Sequence, residues 1–591
     1  MDQVVPEDER PDGRVSTPET RQLREATRSL RLHLDYLPAV FHWNGAADLF
    51  FAELAWPFAR QRYACCDSLL GAGFGGTVVG AMARSLLVDA LRWQWIGAAP
   101  RKRLPSLLGW MLEERSRICW TLDQHDASCP ILPRWFAPLI GVTDLTGSSP
   151  EWLHAPTVPS DDELLDLFLA EPVTPPADPT IDDTTPRGLL TTARSLLHVA
   201  GLRGAVLVLG HAGHGNLLGA LSSFTEDGTP GHDLRADHEA LFMHVAAVGV
   251  TTTLLGVWAA APESWPPEID DAYLLRTVEL TKAVVAAATA IHGLGTPKSV
   301  AGGSKKRRPR SNDAVLHPGA ILRNEDLLPD VNPLLGRVIS AAELYTQYAQ
   351  SWSPSLGPSD TQPRLASILT HGLATSNLTA VMSTYDQDGG NMIAVFAARM
   401  LLEEAARYAW MTSISTEEEF MDRSKRYFDE FRFRRRKAIE AFTGNGVDRA
   451  NAEKLFEFPK NIKISTPMDT TTKGRQPLPS MATLLREMGA DYPETAWLDI
   501  AYSLLSQVTH STPIGHLHTV TLDDGTLRAG TITKEFLGLT LDAACLGSAH
   551  LLGWSSVLLT AGREDARIYK RMLLQKAYHV HDAARMLHGL D

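Results

Sequence analysis

One stretch of this chain is written twice, and that constrains its fold more than any other feature. AMARSLLVDALRWQW, from Ala81 to Trp95, returns as FAARMLLEEAARYAW, from Phe396 to Trp410. Arg84, Leu86, Leu87, Ala90, Arg92 and Trp95 fall on Arg399, Leu401, Leu402, Ala405, Arg407 and Trp410. Apolar residues at spacings of three and four make each copy a helix. Further on, VLGHAGHGNLLGAL (Val208 to Leu221) lies over LLSQVTHSTPIGHL (Leu504 to Leu517), which aligns His214 with His510 and Gly219 with Gly515. Each copy then runs into a DGT turn, at Asp227 or Asp524. The order is the same in both halves, so the chain is expected to form two tandem homologous helical-bundle domains packed as a pseudo-dimer.

Helical periodicity dominates and β-branched alternation is almost absent, so the fold class expected is all-α. The exception is HLHTVTLDDGTLRAG (His516 to Gly530), where alternation on both sides of Asp524-Gly525 predicts a short β-hairpin in the second domain. Residues 1–22 are polar, acidic and Pro-containing and read as a disordered tail. Residues 23–294 form the first domain, interrupted by an acidic Pro-rich insertion at 146–187 with room for one short helix. Residues 295–330 contain GTPKSVAGGSKKRRPRSN and read as a flexible basic linker, and 331–591 form the second domain.

A formal charge of −13 over 591 residues argues against a protein that coats nucleic acid or anionic lipid through its overall field; any such contact must be local. Five cysteines, with no apolar stretch at the start of the chain, fit a reducing cytoplasmic setting better than a disulfide framework. Val245 to Ala261 carries no charge, just short of a bilayer span. The matching region of the second half contains Asp542 and His550, expensive at a bilayer centre, so a buried central helix and no membrane partner are expected.

The chemistry is sought in polar residues kept on otherwise apolar helices. Arg399, Glu403 and Arg407 stand four apart and form one stripe, in which the glutamate can pair with either arginine. The first half keeps Arg84 and Arg92 but has Val88 in place of the glutamate, with Asp89 aligned to Glu404. Two arginines kept without that acid suit a carboxylate held from elsewhere in the domain, or an anionic ligand. His510 has Ser506 and Tyr502 one and two turns upstream, and a histidine of near-neutral pKa suits acid–base work. Arg399, Glu403, Arg407, Tyr502 and His510 are therefore the candidate catalytic residues, with the second half favoured for activity.

No metal and no cofactor are expected. His510, His516 and His518 lack a ligand spacing, as do Cys119, His125 and Cys129, and no nucleotide or cofactor fingerprint is present. The three histidines of YHVHDAARMLHGLD are expected at the surface of a terminal helix. Two local basic stretches remain. RSKRYFDEFRFRRRK (Arg423 to Lys437) sets eight cations among aromatics, and the linker carries KKRRPR. Lys305, Lys306, Arg307, Arg308, Arg434, Arg435 and Arg436 are the candidate nucleic-acid contacts, with RNA the expected partner, beside a protein partner or a homodimer.

AARMLLEEAARYAW, followed later by YSLLSQVTHSTP, resembles bacterial all-helical proteins distantly similar to the HEPN superfamily. That resemblance implies a helical fold, a stress or phage-defence setting and a metal-independent ribonuclease. The superfamily's pairing of Arg with a His, four to six residues between them, falls in neither of these two segments nor in their first-half counterparts. Arg194 with His198 and Arg117 with His125 have three and seven residues between them, too few and too many. The alternative is a non-catalytic helical scaffold in which the same Arg and His residues close a buried network.

Overall fold

The computed structural model describes residues 17–37, 40–41, 47–72, 75–124, 155–169, 185–197, 202–214, 217–221, 235–262, 268–294, 331–354, 361–387, 390–414, 416–444, 446–458, 476–491, 497–517, 519–523, 526–529 and 532–588. The fold is all-α in its body. The first half runs α1 (Pro18–Asp35), α2 (Ala47–Ala72), α3 (Gly76–Gly97), α4 (Pro100–Gln124), α5 (Asp161–Leu169), α6 (Pro186–Leu197), α7 (Leu202–Gly213), α8 (Leu217–Ala220), α9 (Ala236–Ala260) and α10 (Asp271–His292). The second runs α11 (Val331–Gln350), α12 (Gln362–Thr384), α13 (Asn391–Thr412), α14 (Glu417–Gly444), α15 (Arg449–Lys454), α16 (Met481–Asp491), α17 (Leu498–Thr509), α18 (Pro513–Leu517), α19 (Lys534–Leu559) and α20 (Glu564–His588).

Local signals start and stop these helices. Thr17, Thr361 and Thr533 cap α1, α12 and α19 by accepting the backbone N–H three residues on, and Asp270 does the same for α10. Gly293, at φ 67°, closes α10 in the left-handed conformation that glycine takes without strain.

The twice-written helices are α3 and α13, and both lie inside the core apart from the half-buried Arg84 and Asn391. α3 packs along α9, and α13 along α19. A Cβ on Gly249 of α9 would stand 2.8–3.0 Å from Leu86 and the Leu87 nitrogen, and one on Gly547 of α19 would stand 2.9–3.0 Å from Leu401 and the Leu402 nitrogen. The aligned leucines thus meet a glycine in each half, which lets the two backbones approach closely. Around these pairs α2 and α10 cover the first half's central helices as α12 and α20 cover the second's.

α9 and α19 are long and apolar enough to cross a bilayer, but their apolar windows are 100% and 94% buried within the protein. Asp542 and His550 lie fully inside the core. His581 and His588 correct the surface reading of the last helix: both are buried, and His581 Nδ1 stands 3.1 Å from Asp542.

The halves interlock. α7 packs on α14, where a Cβ on Gly204 would strike the Phe442 ring, and α8 rests on α12 and α14. In return α17 and α18 pack on α4, and α3 touches α13. Two strands, β1 (Val40–Phe41) and β2 (Val520–Asp523), flank β3 (Thr526–Ala529) in a small antiparallel sheet of order β1-β3-β2. One of its two outer strands, β1, therefore comes from the first half, and β2 and β3 from the second.

Candidate active site between the two halves

The turn after α7 carries His214 and the turn after α17 carries His510, and each reaches across to the other half's central helix. Arg407 of α13 donates to the His214 carbonyl at 2.6 Å, and Arg399 donates to the Gly213 carbonyl at 2.8 Å. In the opposite direction Arg92 of α3 donates to the Ser511 carbonyl at 3.0 Å and to the His510 carbonyl at 3.4 Å. Aligned arginines therefore clamp aligned turns, reciprocally. The two imidazoles end up with ring centres 6.2 Å apart, and each side chain is 30% exposed.

Each imidazole has its own carboxylate. His214 Nδ1 lies 3.1 Å from Glu403, and His510 Nδ1 lies 3.5 Å from Asp161. An ionised carboxylate only accepts, so both Nδ1 atoms carry hydrogen in the neutral rings and both Nε2 atoms present lone pairs. Arg399 Nη2, 3.4 Å from His510 Nε2, donates to that lone pair. The same Nη2 sits 3.4 Å from His214 Nδ1, a close approach of two donors, so it leaves His214 Nε2 untouched. No described residue bonds that atom.

Arg399 is the hub. Its Nε donates to Ser506 at 3.1 Å, its Nη2 to Tyr502 at 3.4 Å, and Nη2 also pairs with Glu403 at 3.2 Å. Glu403 takes Arg407 as well, and Arg407 Nη1 reaches Glu404 at 3.3 Å. Burial alone would raise the Glu403 carboxyl, but His214, Arg399 and Arg407 pull it below the ordinary carboxylate range. Asp161 is likewise held low against its burial by the His510 hydrogen bond, Arg84 and Arg92. Burial lowers both histidines, with the arginines adding to it, and His214 falls to about 4 despite Glu403. Glu404 goes the other way, to about 7, because burial outweighs Arg407.

Beneath His510 the chain is strained. Ser511 has φ 51°, a left-handed conformation that disfavours a side chain. The first half holds it there: Ser85 Oγ lies 2.6 Å from Ser511 Oγ, and Arg62 donates to the same hydroxyl while pairing with Asp89.

The chain matches no family model, no curated protein and no solved structure. The site is therefore judged on its geometry. All five candidate catalytic residues, Arg399, Glu403, Arg407, Tyr502 and His510, come together. The second half, favoured for activity, does not supply the whole cluster, because Asp161, Arg84, Arg92 and His214 come from the first. Asp161 was hidden in the acidic insertion. Its signal is a second repeat, PSDDELL (Pro159 to Leu165) against PSMATLL (Pro479 to Leu485), which puts Met481 where the first half has Asp161. The carboxylate missing at Val88 is supplied there, by α5.

Lys305 to Arg308, His125, Cys129 and His518 lie outside the described residues. On α14, Tyr427, Phe428 and Phe431 are buried and dock the helix, while its cations interleave with acids. Arg434 pairs with Glu430, Arg436 and Lys437 with Glu440, and Arg436 also stacks over Phe433. Arg435 is half-buried beside them. His516 is buried against Phe58, ring centres 4.5 Å apart, away from any ligand cluster. Among the described residues no group of three or more His, Cys, Asp or Glu is arranged to hold a metal ion.

Proposed function

We propose that the chain is a pseudo-dimer of two homologous helical domains whose junction cleaves RNA by metal-independent acid–base chemistry, in the stress or defence setting that the HEPN-like resemblance implies. One observation carries the proposal. Two imidazoles, each oriented by a carboxylate, meet 6.2 Å apart beside a guanidinium at a solvent-reached junction. His214 is the base, since Nδ1–H on Glu403 leaves Nε2 free to take the proton of a 2′-hydroxyl. The 2′-oxygen then bonds to phosphorus, the bond to the 5′-oxygen breaks, and protonated His510, its Nε2–H taking the place of the bond it accepted from Arg399, returns that proton to the leaving oxygen. A bound phosphate anion favours the protonated imidazole, countering the burial that lowers His510. Arg399 and Arg84 face the charge that develops on the phosphoryl oxygens.

The test is incubation of the purified full chain with labelled RNAs in EDTA. Cleavage should give 2′,3′-cyclic phosphate ends, and His214→Ala or His510→Ala should slow it by about 10²–10⁴ with the fold intact. Failure to cut any RNA would sink the reading. One observation favours a scaffold instead: Arg92, Arg399 and Arg407 all close backbone carbonyls across the junction, as a purely structural staple would. Under that reading the histidine variants lose stability and nothing else.

A further inference from the structure

Asp161 is the loosest carboxylate of the junction. Its pairs with Arg84 (3.2 Å), Arg92 (3.6 Å) and His510 (3.5 Å) are longer than the 2.7 Å pair of Asp89 with Arg92, and its side chain is 22% exposed where Glu403 and Asp89 are 3%. Among the described residues Arg84 donates to Asp161 alone, and its side chain is 15% exposed. Three cationic or proton-bearing groups, from α3 and from the other half's turn, thus converge on one small anion.

The helix that brings this anion is self-sufficient. Ser160 and Glu163 form a closed capping box: Ser160 N–H donates to Glu163 at 2.9 Å, and Glu163 N–H donates to Ser160 Oγ at 3.3 Å. α5 is anchored mainly by Leu164, fully buried, with Phe168 under Arg194, while Leu167 is 55% exposed. Lifting α5 removes Asp161 from the site. In the second half the same position is Met481, and the acid is built into the core helix as Glu403, where it cannot leave.

We propose that Asp161 is an internal stand-in for a phosphate: Arg84, Arg92 and His510 form a phosphate site that α5 keeps filled and that a phosphate-bearing ligand takes over by displacing α5. The inference rests on the reading of this junction as an anion-handling site, and it adds the site's autoinhibition. Exchange of a carboxylate for a phosphate keeps the three partners satisfied, so the site is never left as unpaired charge.

The test is a binding measurement on the full chain, by calorimetry, with inorganic phosphate and with a six-nucleotide DNA that lacks the 2′-hydroxyl and cannot be cut by the proposed route. Asp161→Asn should bind these probes on the order of tenfold more tightly than the wild type, because a negative charge leaves the site. Adding Arg84→Gln should remove the gain. Leu164→Ala loosens α5 with every charge kept and should act in the same direction. A gain for phosphate alone assigns the site to free phosphate, and a larger gain for the DNA assigns it to a strand; either supports the proposal. Equal or weaker binding by both Asp161→Asn and Leu164→Ala, with unchanged circular dichroism, overturns it. Tighter binding without RNA cleavage would refute the ribonuclease and leave this site standing.

Discussion

Acid should destabilise this protein above the range in which ordinary carboxylates titrate. His244, His292, His371, His550 and His588 are all buried, and burial is the leading cause that takes them from the ordinary 6.5 to about 3 for His244 and His588 and about 4 for the other three. Between pH 6.5 and 4 the unfolded chain binds protons at these positions and the native chain does not, so stability falls as pH falls. Each histidine loses about 2 kcal/mol between pH 7 and 5, or about 10 for the five. Glu404 and Glu53, raised by burial to about 7, act in the opposite sense, because the native state binds their protons first. Each returns about 2 kcal/mol over the same range, leaving a net loss of about 6, a large part of a typical total stability. Asp161 and Glu403, lowered in the fold, add to the loss only as pH falls through the ordinary carboxylate range, below about pH 5. Urea unfolding followed by circular dichroism at pH 7, 6 and 5 reads the slope directly. His371→Gln, which can keep a bond to Ser555, should flatten it by about one proton. Stability that is level or rising from pH 7 to 5 would refute the reasoning.

Other expectations follow from single contacts. Glu403→Gln leaves Arg399 and Arg407 buried without their shared acid and should lower stability by about 3–5 kcal/mol in urea, whereas Asp161→Asn, at the open edge, should lower it far less. Gly547→Ala and Gly249→Ala each push a methyl into a leucine backbone and should each destabilise by about 1–3 kcal/mol; a harmless substitution at either position would contradict the close packing. Ala561, exposed at φ 51°, should gain about 0.5–1 kcal/mol as glycine, seen as a higher urea midpoint.

The helical fold was legible because α3, α9, α13 and α19 carry long apolar windows, and the convergence around Arg399 was legible in part because Arg399, Glu403 and Arg407 share a face. The repeat even showed that Arg84 and Arg92 lack the acid that stands between Arg399 and Arg407. It could not show which acid, because Asp161 lies on a short helix within an insertion whose composition reads as solvated loop. Nor could it show that aligned arginines serve the opposite half. Chain order places His214 with Arg84, whereas packing of α7 on α14 carries His214 to Arg407 and Glu403. Burial of His581 and His588 was missed for a related reason: α20 looks polar in sequence, but its inner face seals α19.

The placement of the two acids, one fixed in α13 and one on α5, has a consequence for direction. A site with true two-fold symmetry presents the same face to a polymer entering from either end. Here one imidazole has its outer nitrogen open and the other has it pinned by a guanidinium. One acid is permanent and the other removable. The junction therefore has a left and a right, and a strand lying across it meets different chemistry at its two ends.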